Sequence, residues 1–180
     1  NALIFEPAPP PGSPALSNYE AIPRPFVIRP PLEETTRYEP GQAVEFGLVL
    51  VGRSIEFLPY FVLAFDLLGE EGLGLNRARC RLDRVEQLHS GDSALVYDGA
   101  SRTMRQPSPT TLDLIPHSAL RTPHSEIALR FLTPTHLVFE EKPVREPEFH
   151  HLVRRLRDRL NALATFYCGG QLELDFKGLG

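Results

Sequence analysis

What most narrows the fold is an order of elements that runs twice along the chain. Val44, Phe46, Leu48 and Leu50 alternate behind the turn signal Pro40-Gly41 and stop at Gly52, the pattern of a strand. Leu58, Phe61, Val62, Phe65 and Leu68 then recur at helical spacing. Pro59 fits the first turn of that helix, where its missing N–H costs nothing, and Gly69 fits a left-handed stop. A glycine-rich loop, Gly69 to Asn76, leads to a strand expected from about Arg77 to Val85. Residues 44–86 therefore read strand, helix, glycine loop, strand. The second run begins at Glu126 to Glu140, where Ile127, Leu129, Phe131, Leu137 and Phe139 are strand-like and Thr133-Pro134-Thr135 breaks the run. Phe149, Leu152, Val153, Leu156, Leu160, Leu163 and Phe166 or Tyr167 then form one apolar stripe, predicting a helix over about Pro147 to Tyr167 that Gly169-Gly170 ends. Gln171 to Phe176 is a further candidate strand. Two such units predict an α+β sandwich of the split βαβ type, an antiparallel sheet with helices on one face. The strands at 44–52 and 77–86 are expected in one antiparallel sheet covered by the 58–68 helix.

The remaining segments are short. Leu3-Ile4-Phe5 is a candidate strand, Pro7 to Pro14 a proline-rich connector, and Pro25 to Pro30 an extended piece at a sheet edge. Residues 90–125 read as an excursion, with Ala94–Tyr97 and Leu112–Ile115 patterned as a hairpin around Gly99 and Pro107-Ser108-Pro109. The expected division is 1–90, 91–125 and 126–180. At 180 residues, 42% apolar and 23% charged, the chain has the composition of a folded domain rather than of a disordered one. Two cysteines exclude a disulfide-dense scaffold. No apolar run reaches ~18 residues and no basic-then-apolar segment opens the chain, so neither a membrane span nor a signal peptide is expected, and a cytoplasmic place is. Residue 1 is Asn and the only Met is Met104, so a fragment is expected.

A net charge of −4 means that an anionic ligand needs a local basic patch. Two stretches offer one. Arg77, Arg79 and Arg81 alternate on the expected strand and would share one sheet face, with Ala78, Cys80 and Leu82 on the other. Like charges on one face need counter-ions: Glu70 and Glu71, phosphates, or solvent. Beside them, Gly72 and Gly74 allow close backbone approach to a phosphate, or simply make a helix stop and a tight turn. The loop follows a helix and precedes a strand, which excludes the dinucleotide fingerprint, and it has no Walker lysine. On the second helix His150, Arg154, Arg157 and Asn161 line the side away from the leucines, flanked by His151, Arg155 and Arg159. That face is either a solvated basic one or a contact for RNA phosphates. Seventeen of the nineteen basic residues are arginine, which suits bidentate phosphate contacts and equally a GC-rich genome. His150 and His151 point ~100° apart on a helix and chelate one metal poorly. No zinc spacing, nucleophile elbow or H-E-x-x-H is present, and no metal or cofactor is expected.

Several segments together resemble a known family. Pro25-Phe26-Val27-Ile28 before Tyr38-Glu39-Pro40-Gly41, the strand ending in Gly52, Leu58-Pro59-Tyr60-Phe61 with Leu68-Gly69, and Gly72-Leu73-Gly74 with Arg77 are similar to the RAMP-superfamily endoribonucleases that process CRISPR precursor RNA. Phe131-Leu132-Thr133-Pro134-Thr135, followed by a helix rich in Leu and Arg, resembles the opening of that family's C-terminal domain. The resemblance implies tandem ferredoxin-like domains, here truncated at both ends: most of the first within 1–90 and the start of the second within 126–180. It implies an RNA ligand, a CRISPR repeat hairpin or single strand, and metal-independent cleavage by attack of a ribose 2′-hydroxyl on the neighbouring phosphate, helped by a histidine. It assigns no catalytic residue here and carries over, by position, the glycine loop at Gly72 and Gly74 with the Arg77 strand; together with the basic helix face read from the residues, the expected RNA-contacting set is Gly72, Gly74, Arg77, Arg79, Arg81, His150, Arg154 and Arg157. Truncation would expose strand edges, so self-association, or poor order after about Tyr167, is expected. Two other readings are open: a non-catalytic RNA-binding scaffold subunit working with other CRISPR-associated proteins, and an unrelated ferredoxin-like binding domain.

Overall fold

The computed structural model describes residues 22–33, 35, 37–89, 92–109, 128–139, 141–170 and 172. They form a mixed α+β chain of small antiparallel sheets and, among the described residues, two α-helices. The chain packs as two compact units, one built from residues up to Ser54 with those from Ala128 onward, the other from Ile55–Ile127.

In the first unit, β1 (Phe26–Arg29) pairs antiparallel with β2 (Gly47–Leu50), Phe26 opposite Leu50 and Arg29 opposite Gly47. Pro25, which has no N–H to donate, sits buried just before β1 and serves as an acceptor. Its carbonyl takes the Val51 N–H at 2.9 Å and lies 3.0 Å from the hydroxyl of buried Ser54. The hairpin of β6 (Val138–Phe139) and β7 (Lys142–Pro143) follows, with Glu141 at a positive φ of 63° in its turn. Helix α2 (Phe149–Tyr167) carries the core. Its stripe buries Ala162, Leu163, Phe166 and Tyr167, against which Ile22 and Val51 pack. Gly52, at φ 58°, lets the chain pass so close to α2 that a Cβ there would sit 2.6 Å from the Tyr167 carbonyl carbon. Arg53 donates from Nη2 to the Phe166 carbonyl at 3.2 Å, satisfying one of the last acceptors of the helix.

The strand expected over Glu126 to Glu140 is mostly not one. Residues 128–137 make no strand, and only β6 pairs. Pro134 breaks the run, and Thr135 turns its hydroxyl to the Thr133 carbonyl at 3.1 Å, a local bond that competes with a ladder. The segments at 1–14 and 112–115 lie outside the described residues, as do 126, 127, 140 and most of 171–176.

A 3-10 helix (Gly52–Phe57) begins in the first unit and runs into α1 (Leu58–Glu71) of the second, with Pro59 in the first turn as expected. The stop is Gly72 at φ 96°, not Gly69. Gly69 stays helical and buried because the Cys80 backbone passes against it, where a side chain would collide. β3 (Arg84–Leu88), β4 (Ser93–Asp98) and β5 (Thr103–Met104) form a three-stranded antiparallel sheet, with a register shift between Val85 and Glu86. The strand expected from Arg77 thus begins at Arg84. It pairs with β4 rather than with β2, so the single sheet expected over 44–86 is replaced by two. The Ala94–Tyr97 strand is present as β4, paired with β3 and β5. The turn into β5 is closed by Asp98, whose carboxylate accepts the Ser101 hydroxyl at 2.6 Å and the Ala100 N–H at 3.1 Å. Those bonds hold its carboxyl below the usual carboxylate range, the Ser101 bond most of all.

Candidate nucleic-acid interface

The glycine loop is a closed turn. Leu73 and Ala78 exchange N–H···O bonds of 2.9 Å each way, Arg77 N–H reaches the Gly74 carbonyl at 3.2 Å, and Cys80 N–H the Gly69 carbonyl at 3.1 Å. Gly72 N–H closes the end of α1 on the Leu68 carbonyl at 3.0 Å. Those donors are therefore engaged within the turn rather than offered to a ligand. Arg77 itself has φ 47°, in the left-handed region that a non-glycine residue enters at a cost. It sits in the turn and not on a strand, so Arg77, Arg79 and Arg81 do not form one sheet face. The alternation is present in the residues, but the backbone bonds of this stretch close the local turn instead of extending a ladder. Arg79 and Arg81 lie exposed on the extended stretch after the turn and, with Glu70 and Cys80, line an open groove. Arg81 also stands 3.6 Å from the Asp83 carboxylate, both side chains well exposed, a pair that solvent weakens.

The cluster at the start of α2 is tighter. Glu148 is the N-cap and forms a reciprocal capping box with His151. The Glu148 backbone N–H donates to Nδ1 of His151 at 3.1 Å. His150 Nδ1 lies 3.4 Å from a Glu148 carboxylate oxygen. The two imidazoles are 3.9 Å apart between centroids, and both meet Phe139 of β6 edge-on, at 5.6 Å for His150 and 4.6 Å for His151. The Arg154 guanidinium lies 5.6 Å above the same Phe139 ring. Arg155 fixes the hairpin from the other side, Nε to the Val138 carbonyl at 2.5 Å. His150 and Arg154 are thus brought together around an aromatic ring. Arg157 is turned away from them onto the Asp158 carboxylate, with Nε at 2.9 Å and Nη2 at 2.8 Å. Phe139 and Glu148 are the members that the residue patterns did not reveal. Phe139 read as part of a strand, and Glu148 followed three residues later by His151 is not the Ser/Thr-x-x-Glu/Gln pattern that marks a capping box.

Chemically, the α2 cluster combines a half-exposed imidazole beside a carboxylate, a guanidinium and an aromatic ring, the parts that hold phosphate and base. Its members belong to the first unit and the glycine-turn arginines to the second, so each set is a site in its own right. Among the described residues no group of three or more His, Cys, Asp or Glu side chains stands ready for a metal ion, and no helix is long and apolar enough to cross a membrane.

No curated protein matches the chain, and no solved structure does. One family model, AF_1859_N, described as an N-terminal domain, matches residues 2–109. The match takes in both strands of the first hairpin, α1, the glycine turn, Arg79, Arg81 and the three-stranded sheet, and stops short of α2. Since more than half of its length falls under that model, the chain belongs to the AF_1859_N family of N-terminal domains.

Proposed function

We propose that the chain binds RNA as a CRISPR-associated protein of the RAMP superfamily, with ferredoxin-like architecture, and acts on precursor CRISPR RNA in the cytoplasm as a metal-independent endoribonuclease. In that reaction the ribose 2′-oxygen, losing its proton to a base, bonds to the adjacent phosphorus. The 5′-oxygen of the next nucleotide leaves and takes up a proton, leaving a 2′,3′-cyclic phosphate. The observation that supports this reading best is the grouping of His150, Arg154 and Phe139, with His150 next to Glu148. Arg154 would hold phosphate, Phe139 would stack a base, and His150 is placed to move a proton. Arg79 and Arg81 on the open groove would bind further phosphates, with Arg77 at the turn.

The test is titration with a hairpin RNA and with a single strand at several salt concentrations, followed by cleavage in excess chelator. Arg154→Ala should weaken binding and lower the log–log salt slope by ~0.7 for each phosphate no longer neutralised on a single strand. Replacing Arg77, Arg79 and Arg81 together with Ala should do the same for up to three phosphates. Equal affinity and slope in wild type and both variants would overturn the RNA reading. His150→Ala should keep binding and abolish cleavage. If binding depends on the arginines but no cleavage occurs in the wild type, the non-catalytic scaffold subunit takes its place.

A further inference from the structure

We propose that Nδ1 of His151 is a proton-operated latch on the first turn of α2. A capping box normally uses Glu or Gln at its third helical position, groups that accept at any pH near neutrality. Here the third position is His151, and the Glu148 N–H donates to its Nδ1 at 3.1 Å. To accept, the ring must be neutral with its hydrogen on Nε2. A proton arriving on Nδ1 claims the same lone pair, sets donor against donor, and adds positive charge at the positive end of the helix. The latch is therefore closed when the ring is neutral and open when it is charged, and imidazole is the side chain that ordinarily changes charge between about pH 5 and 8.

The surrounding charges decide how sharply the two states differ. The His150 ring lies 3.9 Å away, and the guanidinium groups of Arg154 and Arg155 follow one turn on along the same helix. The Glu148 carboxylate is the acidic group beside the pair, and it stands 3.4 Å from His150. The hairpin packed on the ring presents Phe139, edge-on at 4.6 Å, and carries the exposed charges Glu141 and Lys142. None of these replaces Nδ1 as acceptor for the Glu148 N–H. The latch operates whether or not the face binds RNA.

The experiment is NMR on the whole chain between pH 7.5 and 5.5, above the range where carboxylates titrate. In the wild type, exchange protection of the Glu148 amide, corrected for intrinsic chemistry, should fall about five-fold over that range, the factor a typical cap represents. His151→Gln, which restores the usual capping-box residue, should keep Glu148 protected at both ends. His150→Gln should retain the pH response. Equal pH dependence in wild type and His151→Gln would overturn the latch. So would imidazole ¹⁵N shifts placing the hydrogen of neutral His151 on Nδ1 at pH 7.5, a readout that needs no variant.

Discussion

Gly72 and Gly74 stand two residues apart in one turn, yet they are glycines for different reasons. A Cβ on Gly72 would lie 2.6 Å from the Arg77 carbonyl carbon, and φ there is 96°; a Cβ on Gly74 would meet open space, with φ 73° the only obstacle. Gly74→Ala should therefore cost about 1 kcal/mol of backbone strain, and Gly72→Ala about 2–3 kcal/mol with the added collision, read from urea unfolding midpoints. Residue patterns marked the glycines but could not rank them, because the carbonyl that excludes a side chain comes from five residues further on. The arginines show the same gap. Alternation at 77, 79 and 81 has the period of a strand, but the period does not say whether a ladder partner is available, and here the turn closes on itself instead. Tyr167 makes a third case. It is 3% exposed and its hydroxyl has no hydrogen-bond partner among the described residues, so burial pushes its pKa above the ordinary value, with Arg24 and Arg53 pulling it partly back. The folded chain then holds this proton more tightly than the unfolded one. Stability from this group is present below the ordinary tyrosine range near 10 and declines as pH rises through it. Tyr167→Phe should leave stability unchanged or higher at pH 7, since an unpaired buried hydroxyl contributes nothing there, and should remove that alkaline decline in unfolding measured from about pH 8 to 11.

At the scale of elements, both helices were legible and most strands were not. A helix announces itself over many residues: seven apolar positions in α2 keep one stripe for 19 residues, so its existence and both ends could be placed within two residues. The strands are two to six residues long, and β5, β6 and β7 are pairs of residues fixed by their turns rather than by any period of their own. Which strand pairs with which depends on turn closure and on what covers each face, and neither is written locally. The stripe of α2 also predicts its own energetics. Leu163 is 8% exposed within the core, whereas Leu160 is 40% exposed one turn earlier. Leu163→Ala should cost about 2–5 kcal/mol and Leu160→Ala under about 1 kcal/mol, a contrast that thermal or urea unfolding of the two variants would show. Similar costs for the two would mean that the core does not sit on the Leu163 side.

At the scale of the whole molecule, α1 leaves an apolar strip uncovered: Tyr60, Leu63 and Leu67 are each half-exposed or more. Monomeric proteins seldom keep such a contiguous strip. The expected outcome is concentration-dependent self-association in sedimentation, reduced when Leu63 and Leu67 are both replaced by Glu, with folding kept because neither side chain is in the core. An unchanged sedimentation profile across concentration, in wild type and variant alike, would count against it. The division of the chain also has a consequence for its synthesis. The Arg53–Phe166 bond joins residues 113 positions apart, and Ile22 and Val51 wait for the same helix to cover them. On a ribosome adding ~5–20 residues per second, that interval lasts roughly 6–23 s. The intervening unit, whose strands are neighbours in sequence, has its partners at hand long before. The unit of β3, β4 and β5 can therefore form first, and the β1–β2 pair is the surface most in need of a chaperone's shelter until α2 has been made.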